Sequence, residues 1–190
     1  MKVGLLGGSF DPVHKGHIKL AQAARKQLHL GKIFLVLTPR SPFKRNQSMT
    51  PVSQRLRWLR ASLKGKKGIK IGTWELKKKG PVYTVDTLRR YTQLHPRDQI
   101  FFVMGSDSWK TFGRWKNPDS ISQLATLVVG KRPGAVKIKI PAKLKNSVRV
   151  LSGIFPQISS SDIRTALKNR RKISKSLLPS AVWNDLVHGR

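Results

Sequence analysis

Residues 3–6 form a short apolar run that Gly7-Gly8 ends, the pattern of a buried strand entering a tight turn. Apolar residues then fall at 18, 20, 21, 24 and 28, a helical spacing that predicts a helix over 17–28, closed by Gly31. Residues 33–37 read as a second buried strand, stopped by Pro39. Thr50 as cap and Pro51 in the first turn predict a helix carrying Leu56, Leu59 and Leu63. Residues 69–76 alternate loosely, like a strand. Thr84 is expected to cap the next helix, with Asp86 at its positive dipole end and His95-Pro96 beyond its last turn. Residues 100–104 and 127–129 are two more continuous apolar strands. The stretch 131–145, rich in Lys, Pro and Ala, reads as a surface loop with room for one short strand.

Strands apolar on both faces, alternating with helices, predict an α/β fold: a Rossmann-like, doubly wound parallel sheet. Residues 1–190 are expected to form one domain, with a small helical portion at about 159–190. Such sheets bind ligands at the carboxyl ends of their strands, near the switch in strand order. The turn over residues 7–16 sits at such an end, which is where chemistry is expected.

That turn reads GGSFDPVHKGH, residues 7–17. The glycines permit close approach of a ligand to the backbone, and a helix N-terminus able to hold phosphate follows. The string matches neither a dinucleotide fingerprint nor a Walker loop. His14 and His17, three apart, share a helix face and can donate to one phosphate chain, with Gly16 leaving room for a flat ring. An HxxH pair could also hold a metal, but no Glu follows as in HExxH, and no protein-held metal is expected. Near the other end, Ile158-Ser159-Ser160-Ser161-Asp162-Ile163-Arg164 is a serine-rich helix start, with Arg164 on the face of Ser160 and Ser161. It suits an anion.

Composition changes the picture in two ways. Cysteine is absent, which excludes disulfides, thiolate metal sites and thiol nucleophiles and fits a reducing, cytoplasmic setting. No apolar stretch is long enough for a signal peptide or a membrane span. Against 39 Lys plus Arg stand 8 Asp plus Glu, a formal charge of +31, so phosphate-bearing partners are expected. Of the aromatic residues, Trp58, Trp74 and Trp183 read as packing residues. His29, His95 and His188 fall at helix ends, where a positive side chain is favourable.

GGSFDPVHKGH resembles the HxGH signature of nucleotidyltransferases related to class I aminoacyl-tRNA synthetases, and ISSSDIR resembles their second motif. Further segments are similar to the bacterial nicotinate-nucleotide adenylyltransferase family. These are PRSPFK (39–44), GPVYTVDTL (80–88), Gly105-Ser106-Asp107 with Trp115, Arg132-Pro133-Gly134, and LPSAV (178–182). The resemblance runs in order through nearly the whole chain. It implies attack of the 5′-phosphate of nicotinic acid mononucleotide on the α-phosphorus of ATP, giving deamido-NAD and pyrophosphate, with Mg²⁺ bound alongside ATP. Catalytic roles would fall to His14, His17 and Arg164. ATP contacts would come from Gly7, Gly8, Ser9, Phe10, His14, Gly16 and His17, then Gly105 and Asp107, then Ile158, Ser160, Ser161 and Arg164. Mononucleotide contacts would come from Lys44, Tyr83, Thr84, Asp107, Trp115, Lys116 and Arg132.

Phe43 stands where the family usually has His, and Lys116 where an aromatic is common; a lysine there suits a carboxylate. The charge is unusual for the family. It leaves open a nucleic-acid-binding protein on this fold, or adenylyl transfer to another phosphorylated acceptor. Non-specific polyanion binding alongside catalysis and self-association also stay open.

Overall fold

The computed structural model describes residues 1–40, 49–78, 80–133, 138–153 and 155–188. Six strands pair in parallel: β1 (Lys2–Gly8), β2 (Lys32–Leu37), β3 (Ile69–Gly72), β4 (Gln99–Gly105), β5 (Thr126–Gly130) and β6 (Val148–Val150). Their order is β3-β2-β1-β4-β5-β6. The chain winds outward from β1 in one direction, then returns to place β4 on its other side. The switch therefore lies between β1 and β4.

The side-chain alternation of the strands divides the core between two faces. Leu6, Ile33, Leu35, Phe101 and Val103 face α1 (Lys15–Gln27) and α2 (Val52–Leu63), joined by α6 (Ser160–Lys168) and α7 (Ser180–His188). Val3, Leu5, Val36, Ile100 and Phe102 face α3 (Thr84–Leu94) and α5 (Pro118–Leu124). The short α4 (Ser106–Lys110) follows β4 directly. Ile163 and Val182 of the last two helices enter the same core as α1 and α2. Asp185 of α7 accepts from Trp58 Nε1 at 2.6 Å and from Gln54, which ties α7 to α2. Among the described residues no helix is long and apolar enough to cross a membrane.

Several local expectations change. α1 starts at Lys15 and ends at Gln27, with Leu28 as its C-terminal cap, and His29, at φ 52°, takes the left-handed position expected of Gly31. Pro51 itself is the cap of α2: its carbonyl accepts the Arg55 backbone N–H at 3.1 Å. Tyr83, not Thr84, caps α3. The 69–76 strand is only four residues long, and a 3₁₀ turn, Trp74–Lys77, replaces its second half. A strand at Val148–Val150 lies just past the 131–145 stretch. Lys44, Phe43 and Gly134 lie outside the described residues.

Candidate active site

The carboxyl end of β1 runs into a buried turn. Phe10 adopts φ 46° and is 2% exposed, so the turn is built on an aromatic anchor. His14 then caps α1 in a reciprocal arrangement. Its Nδ1 accepts the His17 backbone N–H at 3.4 Å, and His17 Nδ1 accepts the His14 backbone N–H at 3.3 Å. This is a capping box written in imidazoles, and it satisfies two of the helix's orphan donors.

The geometry has a chemical consequence. With Nδ1 of each ring used as an acceptor, each proton sits on Nε2, the remaining donor. The rings stack at 3.6 Å between centroids, 21° from parallel, and the edge of His17 meets Phe10. Burial, then the charge of Arg132, lowers the His14 pKa to about 3, so the ring is neutral at ordinary pH. Gly16 leaves room for this pair: a Cβ on it would lie 3.0 Å from His14 Nδ1, close enough that the ring would have to give by a few tenths of an ångström. The flat ring that it accommodates is the protein's own.

The second motif docks onto this turn. Ser159 caps α6 through its Oγ, which accepts from Ser161 N and Asp162 N. Ser160 Oγ donates to Pro12 O at 2.9 Å, and Arg164 Nη1 donates to Asp11 O at 2.7 Å. Arg164 Nη2 reaches Ser161 Oγ at 3.3 Å. The N-terminus of α6 thus stands beside that of α1, two positive helix ends held together by hydrogen bonds spanning some 150 residues.

Two clefts meet at the histidine pair. The larger, about 710 Å³, is floored by Gly7, Gly8, Ser9, Phe10 and His17, with Ser160 and Asp107 on its rim. Its far wall holds Tyr83, Thr84, Trp115 and Lys116. The smaller, about 120 Å³, is lined by His14, Gly16, Gly105, Ile158 and Arg132, and shares His17, Asp107 and Trp115 with the first. The fold therefore assembles almost every residue singled out in the sequence. Ser161 and Arg164 stand behind the clefts rather than in their walls, and Arg132 lines only the smaller one.

Charges at the rim are paired. Arg132 Nη1 lies 2.5 Å from Asp107 Oδ2, between the two clefts. Lys116 Nζ sits 4.4 Å over the Tyr83 ring and 3.8 Å from Asp86. Trp115 packs edge-on to Phe102 and tilted against Phe112, with its Nε1 buried and unbonded among the described residues. It is a fixed aromatic surface at the cleft wall.

Two residues that frame the site escaped the sequence reading. Arg55, 1% exposed, donates to the carbonyls of Ser9, Thr38, Pro39 and Thr50 at 2.8–3.0 Å. One guanidinium stitches together the chain leaving β1, the chain leaving β2 and the approach to α2. Its signal was present: it lies four residues before Leu59, on the buried face of α2, where a charge is out of place. Glu75, 5% exposed, accepts from Thr87 Oγ1 at 2.5 Å in the wall of the large cleft. Burial raises its pKa, against the hydrogen bonds from Thr87 and Thr38. An acid between Trp74 and Leu76, in a chain with so few acids, was the available clue.

The cytidylyltransferase-like family model matches residues 5–166. A Salinibacter ruber protein named "Probable nicotinate-nucleotide adenylyltransferase" is 32% identical over 182 residues, covering 96% of this chain and 93% of its own. A Geobacillus thermodenitrificans protein of the same name is 35% identical over 183 residues, covering 95% and 81%. Among solved structures, the nicotinic acid mononucleotide adenylyltransferase of Plasmodium falciparum complexed with APC superposes with a TM-score of 0.76 at 19% identity. It covers 99% of this chain and 96% of that one, a likeness of fold. Identity of 32–35% over 95–96% of its length makes this chain a member of the nicotinate-nucleotide adenylyltransferase family within the cytidylyltransferase-like proteins.

Proposed function

We propose that the chain transfers the adenylyl group of ATP to nicotinic acid mononucleotide, releasing pyrophosphate and forming deamido-NAD. A phosphate oxygen of the mononucleotide forms the new bond to the α-phosphorus, and the bond from that phosphorus to the β-phosphate bridging oxygen breaks. No covalent enzyme intermediate is needed, so the protein's task is positioning and charge stabilisation. His14 and His17 offer Nε2–H donors to the phosphates. Ser160 and the N-terminus of α6, oriented by Arg164, face the departing pyrophosphate. On the acceptor side, Trp115 offers a face to the pyridine ring, and Lys116 with the Tyr83-Thr84 backbone offers positive charge to its carboxylate.

Mg²⁺ enters with ATP as part of the substrate. The ion would be held mainly through phosphate oxygens and water. The metal screens charge on the triphosphate. We place the reaction in the cytoplasm, in keeping with the cysteine-free sequence.

The observation that carries the reading is the docking of α6 on the first turn, which brings Ser160 and His17 to one cleft at the sheet's switch point. The family likeness favours an enzyme over a fold given wholly to nucleic-acid binding. Incubation with ATP, Mg²⁺ and either nicotinic acid mononucleotide or its amide tests it. The expected result is pyrophosphate release with a preference for the acid. Release with neither, or a strong preference for the amide, refutes the assignment. Replacing His17 with Ala should cost about 10²–10³ in turnover, as for loss of one charge-stabilising donor.

A further inference from the structure

The adenylyl-transfer site uses only a few of the chain's cations, and the rest have little internal purpose. Asp11 and Glu75 are buried. Asp86, Asp98, Asp107 and Asp119 are in ion pairs, and Asp185 is bonded to Trp58 and Gln54. Almost no carboxylate is left to neutralise the outer surface.

Among the described residues, the densest run of unneutralised cations along the chain lies at the C-terminal end of α6. Lys168, Arg170, Arg171, Lys172 and Lys175 are all exposed within eight residues, and among the described residues none has a carboxylate partner. The segment is not a loose tail. Ile173 and Leu177 pack against the core, and Ser174 Oγ accepts from Ser176 N to start a 3₁₀ turn. A helix C-terminus favours cations, but that preference fades within the last turn, where Lys168 already stands.

Arg170 supplies a second, independent observation. Its N–H donates to Leu167 O at 3.2 Å and that of Arg171 to Ala166 O at 2.8 Å, a Schellman ending with Arg170 at φ 51°. That left-handed position is normally glycine's, and His29 at the end of α1 is of a type that tolerates it. Arginine carries a backbone penalty there, yet its exposed side chain makes no ion pair or hydrogen bond within the described residues. Strain without an internal return points outward.

We propose that this surface binds the phosphate backbone of a nucleic-acid duplex, without regard to base sequence. The five cations are built for phosphate, two of them with the guanidinium fork. The large hydrophobic residues that are exposed, Met1, Leu94, Val150 and Val187, all lie outside the patch. It therefore has neither a ring to stack on bases nor an apolar wedge to enter a lipid layer.

Fluorescence anisotropy with a short labelled duplex, in monovalent salt without Mg²⁺, tests this. Five phosphate contacts give a slope of log affinity on log salt of about −4.5, or roughly 500-fold weakening from about 50 to about 200 mM salt. K168Q/R170Q/R171Q/K172Q/K175Q should lose about that much slope, whereas K64Q/K67Q/K70Q, exposed lysines elsewhere, should lose much less per charge. R170G should weaken binding about five-fold near 150 mM salt while raising the melting temperature and leaving adenylyl transfer unchanged. An unchanged slope in the fivefold variant, an equal loss per charge in the control, or a lower melting temperature for R170G overturns the proposal. So does patch-dependent binding to phosphatidylserine–phosphatidylcholine vesicles with none to the duplex.

Discussion

Acid should destabilise this protein through a single buried imidazole. His14 has an ordinary pKa of 6.5 and about 3 in the fold, because burial and Arg132 oppose its charged form. Protonation on Nδ1 would also set a donor against the His17 backbone N–H that this atom now accepts. A histidine with a depressed folded pKa binds more protons when unfolded, so its contribution is fully present above 6.5 and is lost as pH falls toward 3. At 1.36 kcal/mol per unit, about 2 kcal/mol is lost by about pH 5, and about 5 kcal/mol when the titration is complete. His14→Asn isolates the effect, since Asn keeps an accepting oxygen at the cap and does not titrate. Urea unfolding of both proteins from pH 7.5 to 5 would be compared, with slopes checked for constancy. The wild type should lose about 2 kcal/mol more than the variant over that range. Every other titrating group is common to both and cancels. Equal losses would refute the link between the buried cap and acid sensitivity.

Glu75 should behave with the opposite sign. Its raised folded pKa means its charge disfavours the fold, a cost that appears as pH rises above 4.5. Glu75→Gln, which keeps an acceptor for Thr87, should therefore be more stable than wild type at pH 8 and equal to it below pH 4.5 by thermal unfolding. Arg55→Met leaves the buried Ser9 carbonyl and three half-buried ones without their shared donor and should cost about 3–5 kcal/mol in chemical denaturation, with Arg55→Lys recovering part of it. Gly16→Ala gains up to about 1 kcal/mol of helix propensity but sets a methyl 3.0 Å from His14 Nδ1, so the stacked ring must shift by a few tenths of an ångström. Turnover should fall at least about tenfold, the cost of roughly a 1 Å misplacement or less, whatever the melting temperature does. Normal turnover would show that the stacked pair is not needed in its present geometry.

The legible parts of the chain are those where one short string carries its own physics. Residues 3–6, 33–37, 100–104 and 127–129 announce buried strands by composition alone, and each forms one. The glycine turn with His14 and His17, and the serine start of α6, are local too. Cap identities and short strands were harder. Thr50 and Thr84 have the right side chains for caps, yet the cap falls to Pro51 and Tyr83, whose carbonyls accept the first helical N–H groups, from Arg55 and Thr87. β6 has three residues and pairs only with β5, so its strand character comes from its neighbour's backbone.

Sequence by itself determined the alternation of strand and helix and the two helix starts at His14 and Ser159, which depend on residues adjacent along the chain, and the excess of positive charge, which depends on composition alone. Tertiary structure alone decided that Ser160 and Arg164 grip the turn at Asp11 and Pro12, and that Arg55 is a buried brace rather than a surface cation. It also decided that Arg132 meets Asp107 between the clefts. Those contacts join residues as far as 153 apart, and their partners are chosen by strand order and by how the helices dock on the sheet. No local pattern of residues encodes either.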